Sequence, residues 1–123
     1  MATVLVVDDS PVSQRLLGYT LQRQGHTVIM AADGHEALDV LGQRLVDLVI
    51  SDLAMPGIDG LTLLRHIRAD QKHQQLQMII LTASGQDQDR LDAQAAGVND
   101  FLTKPTSSRD IIATVNRLIG CSA

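Results

Sequence analysis

Val4-Leu5-Val6-Val7-Asp8-Asp9-Ser10-Pro11 decides the fold. Its short apolar run reads as a strand buried on both faces, the mark of a parallel sheet. Two acids stop the run, Ser10 is a plausible helix N-cap, and Pro11 suits the first helical position. The same punctuation recurs along the chain. Leu48-Val49-Ile50 stops at Ser51-Asp52, Met78-Ile79-Ile80-Leu81 ends in Thr82, and a segment near Phe101-Leu102 ends in Lys104-Pro105. Open parallel sheets bind ligands beyond the carboxyl ends of their strands. Three carboxylates, one hydroxyl and one ammonium are therefore expected on a single edge.

The stretches between these runs have helical periodicity. Val12, Leu16, Leu17 and Leu21 recur at helical spacing before Gly25, and Thr27 to Met30 reads as a second strand. Asp33 caps a predicted helix carrying Ala37, Leu38 and Leu41, and a third strand spans about 47–51. The loop from Asp52 to Gly60 contains Pro56 and two glycines, and Asp59 is the expected cap of a helix with Leu61, Leu64 and Ile67 on one face. A fourth strand is placed at 78–82. Residues 87–96 form a helix whose apolar face is only Leu91 and alanines, which makes it the least firmly anchored. Val98 to Leu102 is the fifth strand, and Ser107 or Ser108 caps a last helix carrying Ile111, Ile112, Val115, Leu118 and Ile119. Five strand-helix units joined by right-handed crossovers give an α/β fold, a doubly wound five-stranded parallel sheet with helices on both faces.

The 123 residues suit one domain, taken as 1–123. There is no Trp, one Tyr and one Phe, so the core must be aliphatic, and Phe101 stands out. The formal net charge of -4, with no Lys/Arg-rich stretch, argues against a nucleic-acid face. The lone Cys121 has no internal disulfide partner and favours a reducing compartment. No signal peptide is read before the first strand, and no apolar run approaches the roughly 20 residues that span a bilayer. A cytoplasmic, membrane-free protein is expected. His26, His35, His66 and His73 lack metal-ligand spacing and are expected at the surface.

Clustered carboxylates repel: at an effective dielectric of ~20, a close pair costs about 4 kcal/mol. Such a group must protonate, spread apart or bind a cation, and an all-oxygen donor set suits Mg²⁺ or Ca²⁺ rather than zinc. Mg²⁺ takes few carboxylates and keeps places for water and phosphate oxygen. An aspartate carboxylate can attack phosphorus and become an acyl phosphate. A cation, the Lys104 ammonium and the Thr82 hydroxyl can neutralise or hydrogen-bond the equatorial oxygens of the transferring group. Singly, each residue has a plainer reading: a helix cap for Asp8-Asp9, β-branched filler for Thr82, a solvated charge for Lys104, a core aromatic for Phe101. Their common placement at strand ends makes the set informative.

The chain resembles, from about Thr3 to Ile119, the receiver domain of two-component response regulators. Val-Leu-Val-Val-Asp-Asp-Ser (4 to 10) is similar to the family's acidic pair. The segment from Asp47 to Gly60 resembles its phosphoacceptor segment, and Thr82-Ala83 and Lys104-Pro105 its switch threonine and Lys-Pro pair. The resemblance implies a flavodoxin-like three-layer fold with strand order 2-1-3-4-5. It implies that Asp52 accepts a phosphoryl group from a sensor histidine kinase or phosphotransfer protein. Mg²⁺, with Mn²⁺ as a substitute, would be held by Asp8, Asp9, Asp52 and the Ala54 carbonyl. Thr82 and Lys104 would engage the phosphoryl group, Phe101 would be the aromatic switch, and the bond before Pro105 would be cis. The protein would be a switch and not an enzyme, acting through the fourth helix, fifth strand and fifth helix on an output domain, a target protein or a phosphorylation-dependent homodimer. Ala54 departs from the larger or polar residue of many relatives, which bears on the lifetime of the acyl phosphate.

Three other readings compete. A haloacid-dehalogenase-type phosphatase also uses a nucleophilic Asp, but needs an acid two residues on, where Ala54 stands. A flavodoxin-like cofactor binder needs a phosphate loop where Asp8-Asp9 would repel phosphate. A degenerate receiver serving only to dimerise would not need every site residue.

Overall fold

The structure, a computed structural model, describes residues 2–83, 86–104 and 106–119. The elements are β1 (Thr3–Val7), α1 (Pro11–Arg23), β2 (Thr27–Ala31), α2 (Gly34–Gln43), β3 (Leu48–Ser51), α3 (Gly60–Ala69), β4 (Gln77–Thr82), α4 (Asp87–Ala95), β5 (Asp100–Thr103) and α5 (Ser108–Leu118). All strand pairs are parallel, as the buried apolar runs predict, in the order β2-β1-β3-β4-β5 that the resemblance implies. The helix starts are set locally: Ser10, Asp33, Asp59 and Ser107 each accept a backbone N–H three residues on. β5 starts at Asp100, two residues later than expected, because Asn99 turns its side chain to the backbone N–H of Met78 and to Arg68.

Strand alternation divides the apolar residues into two layers. Leu5, Val7, Val49, Met78, Ile80 and Phe101 face α2, α3 and α4. Val4, Val6, Leu48, Ile50, Ile79 and Leu81 face Leu17 and Leu21 of α1 and Ile111 and Val115 of α5. Because α1 leaves β1 on one face and α3 leaves the neighbouring β3 on the other, the carboxyl ends of β1 and β3 open into a crevice.

Three expectations change. Val12 and Leu16, assigned to the buried face of α1, are each 65% exposed, while Gly18 is buried with Leu17 and Leu21. The helix is rotated because Gly18 lets the Met30 side chain lie where a Cβ would be, 2.3 Å from its methyl carbon. Leu91 is 58% exposed, leaving Ala93 as the one buried residue of α4.

His26 is buried, not at the surface, and its Nδ1 accepts the Ala2 N–H at 3.1 Å. Burial pushes its pKa below the ordinary value. The unfolded chain then holds the proton more tightly than the folded one. This contribution to stability is complete above the ordinary pKa of about 6.5 and is lost as the pH falls below it. The urea midpoint of the wild type is expected to drop between about pH 7 and pH 5.5, and His26→Asn to flatten that slope. Equal slopes in both proteins would remove histidine burial as the cause. Cys121 and the Lys104-Pro105 bond lie outside the described residues.

Candidate functional site

The site is built on backbone pairing. The Asp8 N–H donates to Ala31 O at 3.0 Å and the Asp52 N–H to Val7 O at 2.9 Å, so each acid continues the sheet by one residue. The Lys104 N–H donates to Thr82 O at 2.8 Å, joining the ends of β4 and β5 in the same way. Carboxylate oxygens of Asp8, Asp9 and Asp52 come within 4.8 Å of one another, the juxtaposition that the strand ends predict.

Their surroundings differ. Asp8 is 2% exposed, and its carboxylate accepts the Ser10 N–H at 2.9 Å and Lys104 Nζ at 3.2 Å. A charge that deep is tolerated because both partners are in place. Lys104 Nζ stands 3.8 Å from Asp52, close enough for Coulomb attraction and too far for a good hydrogen bond. Asp52 is half-buried and Asp9 faces solvent. The Lys104 ammonium neutralises part of the cluster, but three carboxylates still face one cation. The oxygen-only donor set and its residual negative charge fit a hard divalent cation.

Thr82 is buried at the end of β4, on the sheet face of Met78 and Ile80. Register places Ile80 opposite Phe101, so Thr82 lies one step along from the aromatic ring on that face. Phe101 is 4% exposed. Ala54 is exposed in an open cleft of about 550 Å³ that runs beside Asp9, Met55 and Pro56 toward Asp89 of α4.

Several contributors have no signature in the sequence. Gln14 Nε2 donates to both Asp8 O and Ala31 O, pinning α1 to the ends of β1 and β2. The Ser13 hydroxyl accepts from Lys104 Nζ at 3.4 Å. Gly60 packs its Cα against the Asp52-Leu53 backbone, and its N–H donates to Leu53 O at 2.8 Å. Arg90 reaches Phe101 from α4. Only Gly60 gave a hint, as the residue after an expected cap. The others are polar residues on helices, where a solvated role is the default.

Comparison with known proteins agrees with this arrangement. The sequence profile of the response regulator receiver domain matches residues 4–116. An uncharacterised 14.6 kDa protein of Leptolyngbya boryana is 40% identical over 114 residues, covering 93% of this chain and 87% of that protein. The chemotaxis protein CheY4 of Vibrio cholerae superposes with a TM-score of 0.91 at 31% identity, covering 96% of this chain and 98% of that one. The receiver domain of the sensor histidine kinase PA1611 of Pseudomonas aeruginosa, which has magnesium coordinated in its active-site cleft, gives a TM-score of 0.89 at 32% identity and covers 97% and 98%. With its flavodoxin-like sheet and its profile match across nearly the whole length, the chain belongs to the response regulator receiver domains of two-component signalling, a family of switches and not of classical enzymes.

Proposed function

We propose that residues 1–123 form one receiver domain in which Asp52 is the phosphoacceptor. The observation that carries this is the clustering of Asp8, Asp9 and Asp52 within 4.8 Å, with Lys104 Nζ 3.2 Å from Asp8 and 3.8 Å from Asp52. An Asp52 carboxylate oxygen attacks phosphorus in line. The new O–P bond forms as the P–N bond of a donor phosphohistidine breaks, and the leaving imidazole nitrogen keeps the bonding pair. Asp8, Asp9, Asp52 and the Ala54 carbonyl would hold Mg²⁺, which when bound supplies positive charge to the phosphoryl oxygens. Mn²⁺ has no support beyond the resemblance.

Lys104 is placed to move from Asp8 toward the phosphoryl group, which exchanges one anionic partner for another. Thr82 offers its hydroxyl to a further phosphoryl oxygen, and Phe101 reports that movement to α4, β5 and α5, the face that would meet an output domain, a target or a second copy. The phosphoryl donor is a sensor histidine kinase or phosphotransfer protein, and the setting is cytoplasmic. Among the described residues no helix is long and apolar enough to cross a membrane.

Acetyl phosphate with Mg²⁺ tests the reading without knowledge of the natural donor. The intact mass is expected to rise by one phosphoryl group, the increment to disappear with hydroxylamine, and labelling to stop when a chelator removes the metal. A protein that stays unlabelled, or a label that survives hydroxylamine, would overturn it.

A further inference from the structure

Little apolar surface holds α4 against the sheet, since Ala93 is its one buried residue. Arg90 provides a different attachment. Its guanidinium carbon lies 4.9 Å from the centroid of the Phe101 ring, and its Nη1 donates to the Phe101 carbonyl oxygen at 3.2 Å. The ring is thus enclosed by the aliphatic core on one side and by a cation on the other. On the far side of β5, Arg117 of α5 pairs with Asp100, the residue before Phe101. Arginine is suited to the task because its planar fork can stack on a ring face and still donate in plane to a carbonyl.

We propose that Arg90 is a clasp that holds Phe101 in its inward position and so couples α4 to the phosphoryl site. This rests on the receiver reading above. An attraction made only while the ring is inside favours that state at rest. By reciprocity, whatever favours the inward ring tightens binding of a ligand at Asp52 that prefers it, by no more than the same factor. Arg90 touches neither phosphoryl group nor metal in this scheme and is a positioning residue. The hydrogen bond to the backbone carbonyl does not depend on the ring's rotamer, so the stacked cation alone, on an exposed side chain, predicts a change of about two- to fivefold.

Because Phe101 is the sole Phe, ring-¹³C phenylalanine gives one assigned probe in the full chain. Two quantities are read: broadening of the ring signals by a soluble nitroxide at rest, and the apparent dissociation constant for beryllium fluoride with Mg²⁺. The wild-type ring is expected to be protected. Arg90→Ala should expose it and weaken beryllium fluoride binding by about two- to fivefold, and Arg90→Lys should fall between, since an ammonium keeps the charge but not the fork. Arg90→Met, which keeps an apolar stem over the ring, serves if alanine loosens α4. A ring as protected in the variants as in the wild type overturns the clasp. An exposed ring with unchanged affinity overturns the coupling and leaves Arg90 a prop for α4. If the wild type itself ignores beryllium fluoride, the receiver reading fails, and nitroxide protection alone decides whether Arg90 holds the ring.

Discussion

Asp52→Ala is expected to abolish phosphoryl uptake from acetyl phosphate while leaving the fold intact and the metal-free protein more stable. The backbone at position 52 is fixed by the N–H bond to Val7 O, which alanine keeps. What disappears is one of three crowded carboxylates, the one proposed as nucleophile. Lys104 offsets part of that repulsion, so the expected gain is about 1 kcal/mol, a fraction of the ~4 kcal/mol for a close pair at an effective dielectric of ~20. Mg²⁺ should act in the opposite sense. At a hundred times its dissociation constant it stabilises the wild type by about 2.7 kcal/mol, and the variant should gain much less. Urea titrations with and without Mg²⁺, together with intact mass after acetyl phosphate, measure all three effects. Full hydroxylamine-labile labelling of the variant would move the acceptor to another residue, and a large loss of metal-free stability would show that the cluster is not strained as described.

Gly60→Ala should be the most damaging single-methyl change near the site. A Cβ there would lie 2.3 Å from Asp52 O, 2.9 Å from Leu53 Cα and 3.1 Å from Asp52 C, all backbone atoms that have no rotamer to escape into. The glycine is needed for close approach, because α3 starts directly against the segment that carries Asp52. Overpacking of this kind costs about 3 kcal/mol, or ~10 °C in Tm for a domain of this size. The displaced Asp52 carbonyl should also slow phosphoryl uptake. Gly42, in α2 with nothing within 4 Å of an added Cβ, provides the control of opposite sign. Gly42→Ala should stabilise by up to about 1 kcal/mol through helix propensity. Thermal melts of the two variants side by side decide the point, and a Gly60→Ala melt equal to the wild type would show that the junction has slack.

The positions of the strands and the identity of the clustered acids were legible because both follow from chain-local physics. A run such as Val4 to Val7 can be buried on both faces only as a central parallel strand. Residues that end such strands must then gather on one edge, whatever the helices do. The caps at Ser10, Asp33 and Asp59 were equally local, each a side chain bonding its own backbone three residues on.

Long-range packing decided the rest. Whether α1 buries Val12 and Leu16 or Leu17 and Gly18 depends on where Met30, on a different strand, finds room. Which histidine is buried depends on His26 meeting the N–H of Ala2. That Lys104 favours Asp8 over Asp52, and that Arg90 lies over Phe101, are meetings of residues 96 and 11 positions apart. Periodicity marks the face of a helix that can be apolar, but rotation about its axis is settled by the shapes of its neighbours. A polar side chain's partner is fixed only once two distant segments share the same few ångströms.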